Sequence, residues 1–281
     1  MKIDAHHHFW AYSPTEYPWM KDPLGPLRKD YLPEDLHREI HAAGIDGVVS
    51  VQVRQELKEN AFFLDFADEH DWILGVVGWL PLCDPAVQGA IDHYKDRKGF
   101  VGCRHIIQDE PDDDFILRPD FNAGITALTP SGLVYDILIY ERQLKQSIAF
   151  VDQHPNQVFV LDHIAKPRIG DQLLEPWKTY MSQLAERENV YCKLSGMATE
   201  AVWDGWTEEQ LLPYLDHTLS CFGPKRLMFG SDWPVAVLAV AYGRWVKIVH
   251  DYIATLSADE QDRIWSGTAI EAYKLEIPAG R

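Results

Sequence analysis

Eight short runs rich in Val, Ile and Leu recur along the 281-residue chain, and a longer stretch with helical character separates each from the next. Runs that are apolar on both faces suit the strands of a covered parallel sheet, whose neighbours must be joined by crossovers of about a dozen residues or more. The spacing predicts strands at Ile3–His8, Gly47–Val53, Ile73–Leu80, Val101–Ile107, Val134–Tyr140, Val158–His163, Val190–Leu194 and Leu227–Ser231. Helices are expected between them. One starts at Pro33-Glu34-Asp35, where acidic residues suit the positive end of the helix dipole, and stops at Gly44. Others are expected at Asn60–His70, with Phe62, Phe63, Phe66 and Ala67 on one face, at Arg142–His154 and at Leu211–Phe222, and a helical tail runs through Leu238–Thr255 and Ala269–Leu275. Eight strand-helix repeats predict a single α/β domain over residues 1–281, a (β/α)8 TIM barrel, because a doubly wound sheet needs fewer strands or a long insert. No glycine-rich phosphate loop follows a strand.

Charge narrows the partners. With 26 basic against 43 acidic residues the formal net charge is -17, a field that repels phosphate backbones and anionic membranes, so neither nucleic acid nor membrane is an expected partner. The longest apolar stretch, around Ile73 to Cys83, is broken by Gly75, Gly78 and Pro81 and falls short of the ~20 residues that cross a bilayer. Met1 to Ala5 lacks a secretion signal's apolar segment, which predicts a cytoplasmic protein. Cys83, Cys103, Cys192 and Cys221 are widely spaced, which predicts buried thiols and neither a zinc ribbon nor a disulfide framework. The acidic run Asp109 to Asp114 lacks the spacing and glycine of a calcium loop and reads as solvated.

In such a barrel the chemistry collects at the carboxyl ends of the strands, so polar residues there are the candidates. Strand one ends in His6-His7-His8, and alternation sends His6 and His8 to one side and His7 to the other. Strand six ends in Asp162-His163 and strand eight in Ser231-Asp232-Trp233-Pro234. Alone, a histidine after an apolar strand is more often a packed core residue, and an aspartate there is often a helix cap. Together, His6, His8, His163 and Asp232 would converge on one barrel mouth as three imidazoles and a carboxylate around a water.

The runs IDAHHHFW, VGCRHIIQDEPDDDF, LVYDILIY, FVLDHIAKP, VYCKLSG and RLMFGSDWPV span nearly the whole chain. Through them the sequence resembles the amidohydrolase superfamily and, within it, the branch of L-fuconolactonase and L-rhamnono-lactonase-like proteins; 2-pyrone-4,6-dicarboxylate lactonases are more distant in resemblance. The resemblance implies His-x-His on strand one and an Asp after strand eight, matched here by His6, His8 and Asp232. Members with two metals use a carboxylated Lys or a Glu after strand four and a His after strand five. Here those places hold Arg104-His105 and Ile139-Tyr140, which argues against a two-metal centre. Two alternatives remain: one divalent ion, zinc by preference, on His6, His8, His163 and Asp232, or a metal-independent site whose imidazoles donate hydrogen bonds directly.

The expected reaction is opening of an aldonolactone such as L-fuconolactone or L-rhamnonolactone by water, with Asp232 as general base. A carboxylate of pKa ~3.9 is a weak base, but positioning contributes roughly 10²- to 10⁴-fold. Arg104 or His105 could grip the lactone, and alternation predicts that one of the two faces the lumen. Gln52 and Arg54 are expected to bind hydroxyls; Tyr140 and Ser195 are weaker candidates for the same role. Trp10 and Trp233 are expected to stack on the apolar face of the sugar ring, with Trp19 near the same strand ends. The competing readings keep the barrel: non-hydrolytic lactone isomerisation or decarboxylation, or binding of a sugar acid without catalysis. The small-molecule lactone is the expected partner, and the sequence leaves the oligomeric state undetermined.

Overall fold

The computed structural model describes residues 1–278. Each apolar run forms a strand, although most are shorter at the carboxyl end than the run itself: β1 (Ile3–His7), β2 (Gly47–Val51), β3 (Ile73–Gly78), β4 (Phe100–Ile106), β5 (Val134–Leu138), β6 (Phe159–Leu161), β7 (Val190–Leu194) and β8 (Leu227–Phe229). The trimmed residues, His8, Gln52, Asp162, His163 and Ser231 among them, turn out of the ladder into the loops that carry side chains over the mouth. Ten helices lie between and after the strands among the described residues: α1 (Pro33–Ala43), α2 (Leu57–Glu69), α3 (Val87–Tyr94), α4 (Pro119–Leu128), α5 (Leu144–Gln153), α6 (Trp177–Ala185), α7 (Glu208–Phe222), α8 (Tyr242–Ile253), α9 (Ala258–Asp262) and α10 (Thr268–Tyr273). The sequence pattern did not predict α3, α4, α6 and α9. Each is at most ten residues long, too short for a sustained apolar stripe, and Gly89 and Gly124 weaken the first two further.

The eight strands pair in parallel in sequence order, the (β/α)8 arrangement. The seam closes beyond the last ladder pairs: Asp232 N donates to His6 O at 2.8 Å and His8 N donates to Trp233 O at 2.7 Å. Backbone bonds therefore clamp the two segments that hold the candidate histidines and aspartate. Below the mouth, Ile3, Ala5, Val49, Val51, Val77, Val134, Val160 and Met228 fill the lumen, and Ala269, Ala272, Tyr273 and Leu275 of the C-terminal segment plug its base. The larger apolar core lies between sheet and helices. No helix among the described residues is long and apolar enough to cross a membrane.

Strict alternation would put Asp4, His6 and His8 on one face. A register irregularity between Asp4 and His7 changes that. Ala5 packs into the lumen cluster and the His6 ring lies above it, whereas Asp4 accepts from the Tyr242 hydroxyl of α8 at 3.0 Å. Asp4 also accepts from Ser231 N at 2.8 Å and His6 N at 3.1 Å, so one buried carboxylate ties β1, the loop after β8 and α8 together. Burial pushes its pKa up to about 6 against these hydrogen bonds. A hydrogen bond to a charged group contributes about 1.5–3 kcal/mol, so Tyr242→Phe is expected to destabilise the protein by about 2 kcal/mol, read as a lower denaturant midpoint at unchanged m-value.

Candidate active site

Three side chains from the two ends of the chain meet at the mouth. His6 Nε2 lies 3.2 Å from His8 Nε2, His8 Nε2 lies 3.3 Å from Asp232 Oδ1, and His6 Nε2 lies 3.7 Å from the same oxygen. His163 Nε2 is 3.8 Å from Asp232 Oδ1, and its ring centre is 4.4 Å from that of His6. All four residues are buried. His7 points the other way, to the Ser50 hydroxyl.

Two neighbours decide the tautomers. The Val51 carbonyl, 2.8 Å from His8 Nδ1, can only accept, so Nδ1 carries the hydrogen and Nε2 keeps its lone pair. His6 Nε2 lies 3.3 Å from Arg104 Nη1, which can only donate, so the hydrogen sits on Nδ1, which has Asp162 Oδ1 at 3.2 Å as its acceptor and the Lys193 ammonium beside it at 3.1 Å. His6 Nε2, His8 Nε2 and Asp232 Oδ1 therefore face one another as acceptors. Such a set calls for a positive centre. A tetrahedral zinc with ligands at about 2.0–2.1 Å needs donor atoms about 3.3 Å apart, close to the 3.2, 3.3 and 3.7 Å spacings here, with His163 slightly wider. Asp162 behind His6 supplies the carboxylate that orients a metal-ligating imidazole. The residues fit one divalent ion. A second grouping, His6, Asp162 and His163, is also close enough for ligation. The Asp162 oxygens are already committed there, to Lys193 Nζ at 2.9 Å, Arg104 Nη1 at 2.8 Å and His6.

Asp162 and His163 are consecutive, and in a strand they would point apart. The chain instead makes a left-handed turn, with φ of 53°, 49°, 61° and 47° at His163, Ile164, Ala165 and Lys166. None is glycine, and left-handed geometry costs roughly 1–2 kcal/mol per such residue. The turn is held by Lys166 N donating to His163 O at 2.8 Å and by the buried Trp177 Nε1 donating to Ile164 O at 2.7 Å. His163 Nδ1 pairs with Ser195 Oγ at 2.8 Å. Gly196 lies beside it at φ +63°, where an added Cβ would come within 2.6 Å of His163 Nδ1.

Burial lowers the pKa of His163 to about 4 against the pull of Asp232 and Asp162, and burial likewise holds His6 well below the usual imidazole value. Burial raises Asp232, but His163, His8 and Lys166 outweigh it and leave the carboxylate below its ordinary value. Asp162 is held well below the carboxylate range because Lys193, His6 and Arg104 overcome its burial.

The remaining candidates divide. Arg104 enters the lumen and, besides Asp162 and His6, binds Gln52 through its carbonyl at 2.6 Å and Oε1 at 3.1 Å; Gln52 thus holds Arg104. His105, expected to grip the lactone, stands on the outer face: it stacks on Phe115 at 4.9 Å and pairs with Glu110 at 2.7 Å. The Arg54 guanidinium is tied to Glu59 and Glu16 over the Tyr17 ring, away from the histidines. Trp10 and Trp233 do not offer open faces for a sugar. Trp10 is fully buried, with Nε1 donating to Leu27 O and Lys29 O, and Trp233 packs against Phe9 and Tyr31. Their strand-end positions suggested stacking, but the chain before α1 folds back over Trp10 through paired backbone bonds with Tyr31. Tyr140 lies at the rim beneath Lys166, whose Nζ is 5.5 Å from its ring centre. Asp162, Lys166, Asp136 and Lys193 were missed as site residues; for Asp162, Asp136 and Lys193 the available signal was a charge inside an apolar strand run, and Lys166, in the loop beyond, carried none.

A parallel barrel with imidazoles and a carboxylate collected at its mouth is a metal-capable barrel site. The chain belongs to the amidohydrolase family, whose profile matches residues 3–275. It is 39% identical over 290 residues to an L-fucono-1,5-lactonase of Burkholderia multivorans, covering 99% of this chain and 98% of the relative. A second L-fucono-1,5-lactonase, from Burkholderia ambifaria, is 34% identical over 99% of this chain and 97% of its own length. A crystal structure of a Burkholderia multivorans amidohydrolase with bound zinc superposes with a TM-score of 0.94 at 39% identity, covering 98% of this chain and all of that one.

The buried imidazoles give a pH signature. A histidine with its folded pKa depressed to about 4 from 6.5 contributes stability that is fully present above pH 6.5 and is lost as the pH falls toward 4, because the unfolded chain takes the proton first. For His163 alone this is about 3 kcal/mol. Chelator-treated protein is expected to lose thermal stability across that window, and His163→Asn to flatten the loss.

Proposed function

We propose that this chain hydrolyses a sugar-acid lactone, with L-fucono-1,5-lactone the first substrate to test and L-rhamnonolactone the next. The observation that carries this reading is 39% identity to an L-fucono-1,5-lactonase over 99% of this chain. The Asp232 carboxylate among the imidazoles supports it chemically.

Asp232 acts as the general base. Its carboxylate takes a proton from water as the water oxygen bonds to the lactone carbonyl carbon and the carbonyl electron pair moves onto oxygen. The intermediate collapses, the ring C–O bond breaks, and the proton held by Asp232 passes to the departing ring oxygen. One water is added, and the new carboxylic acid ionises at neutral pH. The charges that lower Asp232 make it a weaker base but keep it deprotonated across the neutral range. An activated ester tolerates that exchange; an amide does so less well. A preorganised partner for the developing oxyanion contributes about 3–4 kcal/mol. The Lys166 ammonium supplies positive charge near Asp232. When bound, a divalent ion on His6, His8, His163 and Asp232 acts as a Lewis acid toward a carbonyl and acidifies water.

Acid release from an aldonolactone panel, followed with a pH indicator and by product mass, tests the reading. The expected product is heavier than substrate by one water. Unchanged mass would mean isomerisation, and loss of carbon dioxide would mean decarboxylation. Asp232→Asn is expected to lower kcat by about 10²-fold or more while the protein stays folded. Acid release from no member of the panel overturns the proposal.

A further inference from the structure

Lys193 is the lone charge in β7, and its side chain is fully buried. An ammonium survives there only with partners. Its Nζ donates to Asp136 Oδ2 at 2.6 Å and Asp162 Oδ1 at 2.9 Å and lies 3.1 Å from His6 Nδ1. Asp136, on β5, also accepts from the Tyr273 hydroxyl, 2.9 Å from each of its oxygens. Tyr273 belongs to α10, whose residues plug the lumen base. A buried chain of polar contacts therefore runs from the C-terminal helix through Tyr273, Asp136 and Lys193 to Asp162 and His6. Lys193 and Asp136 are wholly enclosed, and the established contacts of both lie within the protein.

The two oxygens of Asp162 are divided. Oδ2 takes the Arg104 Nη1 hydrogen bond, and Oδ1 is shared by Lys193 and His6. Arg104 does not hold Oδ1, because its Nη2 is taken by the Gln52 carbonyl and Oε1; Lys193 and the His6 N–H are the groups that fix that oxygen. We propose that Lys193 is a positioning residue: tied back to Asp136 and Tyr273, it keeps Asp162 turned toward His6 and so fixes the ring orientation that aims His6 Nε2 at the pocket. Replacing a buried ion pair by apolar groups of similar size is often neutral or stabilising, so fold stability alone does not account for these charges. This role rests on the reading of His6 as an active-site residue.

The test compares wild type, Lys193→Met, and Lys193→Met combined with Asp136→Asn, which removes both charges and keeps an acceptor for Tyr273. Three quantities are read: denaturant stability, zinc retention against a competing chelator, and kcat and KM on L-fucono-1,5-lactone. Lys193→Met is expected to be destabilised, since Asp136 is left uncompensated, and the double variant to recover stability. Both are expected to yield zinc about 10–100-fold more readily and to lose kcat by a similar factor with KM nearly unchanged, the range seen when partners behind a metal ligand are removed. A double variant as stable as wild type with wild-type zinc retention and kcat overturns the proposal and leaves Lys193 a packing residue. Should neither variant fold, Tyr273→Phe loosens only the tether: a smaller loss in the same direction supports the proposal, and unchanged retention and kcat overturn it. Failure of the lactone assignment itself is separable, because wild type would then be inactive while the zinc measurement still reads the positioning.

Discussion

Lone pairs that face one another a few ångströms apart repel unless something positive lies among them, and the upper half of this barrel is arranged around that constraint. His8 is committed by Val51, and His6 by Asp162 and Arg104, so both imidazoles turn acceptors toward the Asp232 carboxylate. The outcome is a site prepared for a cation or an added proton, enclosed by protein and reached from the mouth. In that setting electrostatic interactions are stronger than in water, which raises both the strength of a filled site and the cost of an empty one.

The fold maintains this arrangement with three devices. Backbone bonds at the seam hold Asp232 and His6 in fixed register although they are separated by most of the chain. The left-handed turn after β6 brings Asp162 and His163 to the same side, which no strand could do for adjacent residues. Beneath them, Lys193 and Arg104 balance Asp136 and Asp162 in a buried layer. Burial nevertheless leaves Asp136 raised to about 6, while Asp162, with more donors, is held low. The strain and desolvation are concentrated where the chemistry is, and the apolar lumen below and the helix layer outside carry the stability.

The barrel could be read from the sequence because its signal is repetitive: eight apolar runs, each bounded by turn residues, need only be counted. His6, His8, His163 and Asp232 could be read because barrel topology says where strand ends meet. Asp162 could not, since its contribution depends on a backbone conformation that alternation does not anticipate. Asp136 and Lys193 stood out as charges in apolar runs, but their partners lie on different strands and pairing is invisible along the chain. Trp10, Trp233 and His105, expected at the substrate, are packed against protein for a related reason. Strand-end position was known, while the fold-back before α1 and the aromatic pocket around Phe115 arise from tertiary packing. Gln52 stayed at the site in a different capacity, as the residue that holds Arg104.

The most direct measurement is a zinc titration of metal-stripped protein followed by X-ray absorption at the zinc edge, with His8→Ala alongside. Saturation at a single ion per chain is expected, with imidazole and carboxylate ligands at about 2.0–2.2 Å and loss of saturable binding in the variant. Binding of two ions, or zinc uptake indifferent to His8→Ala, is incompatible with one ion held by His6, His8, His163 and Asp232.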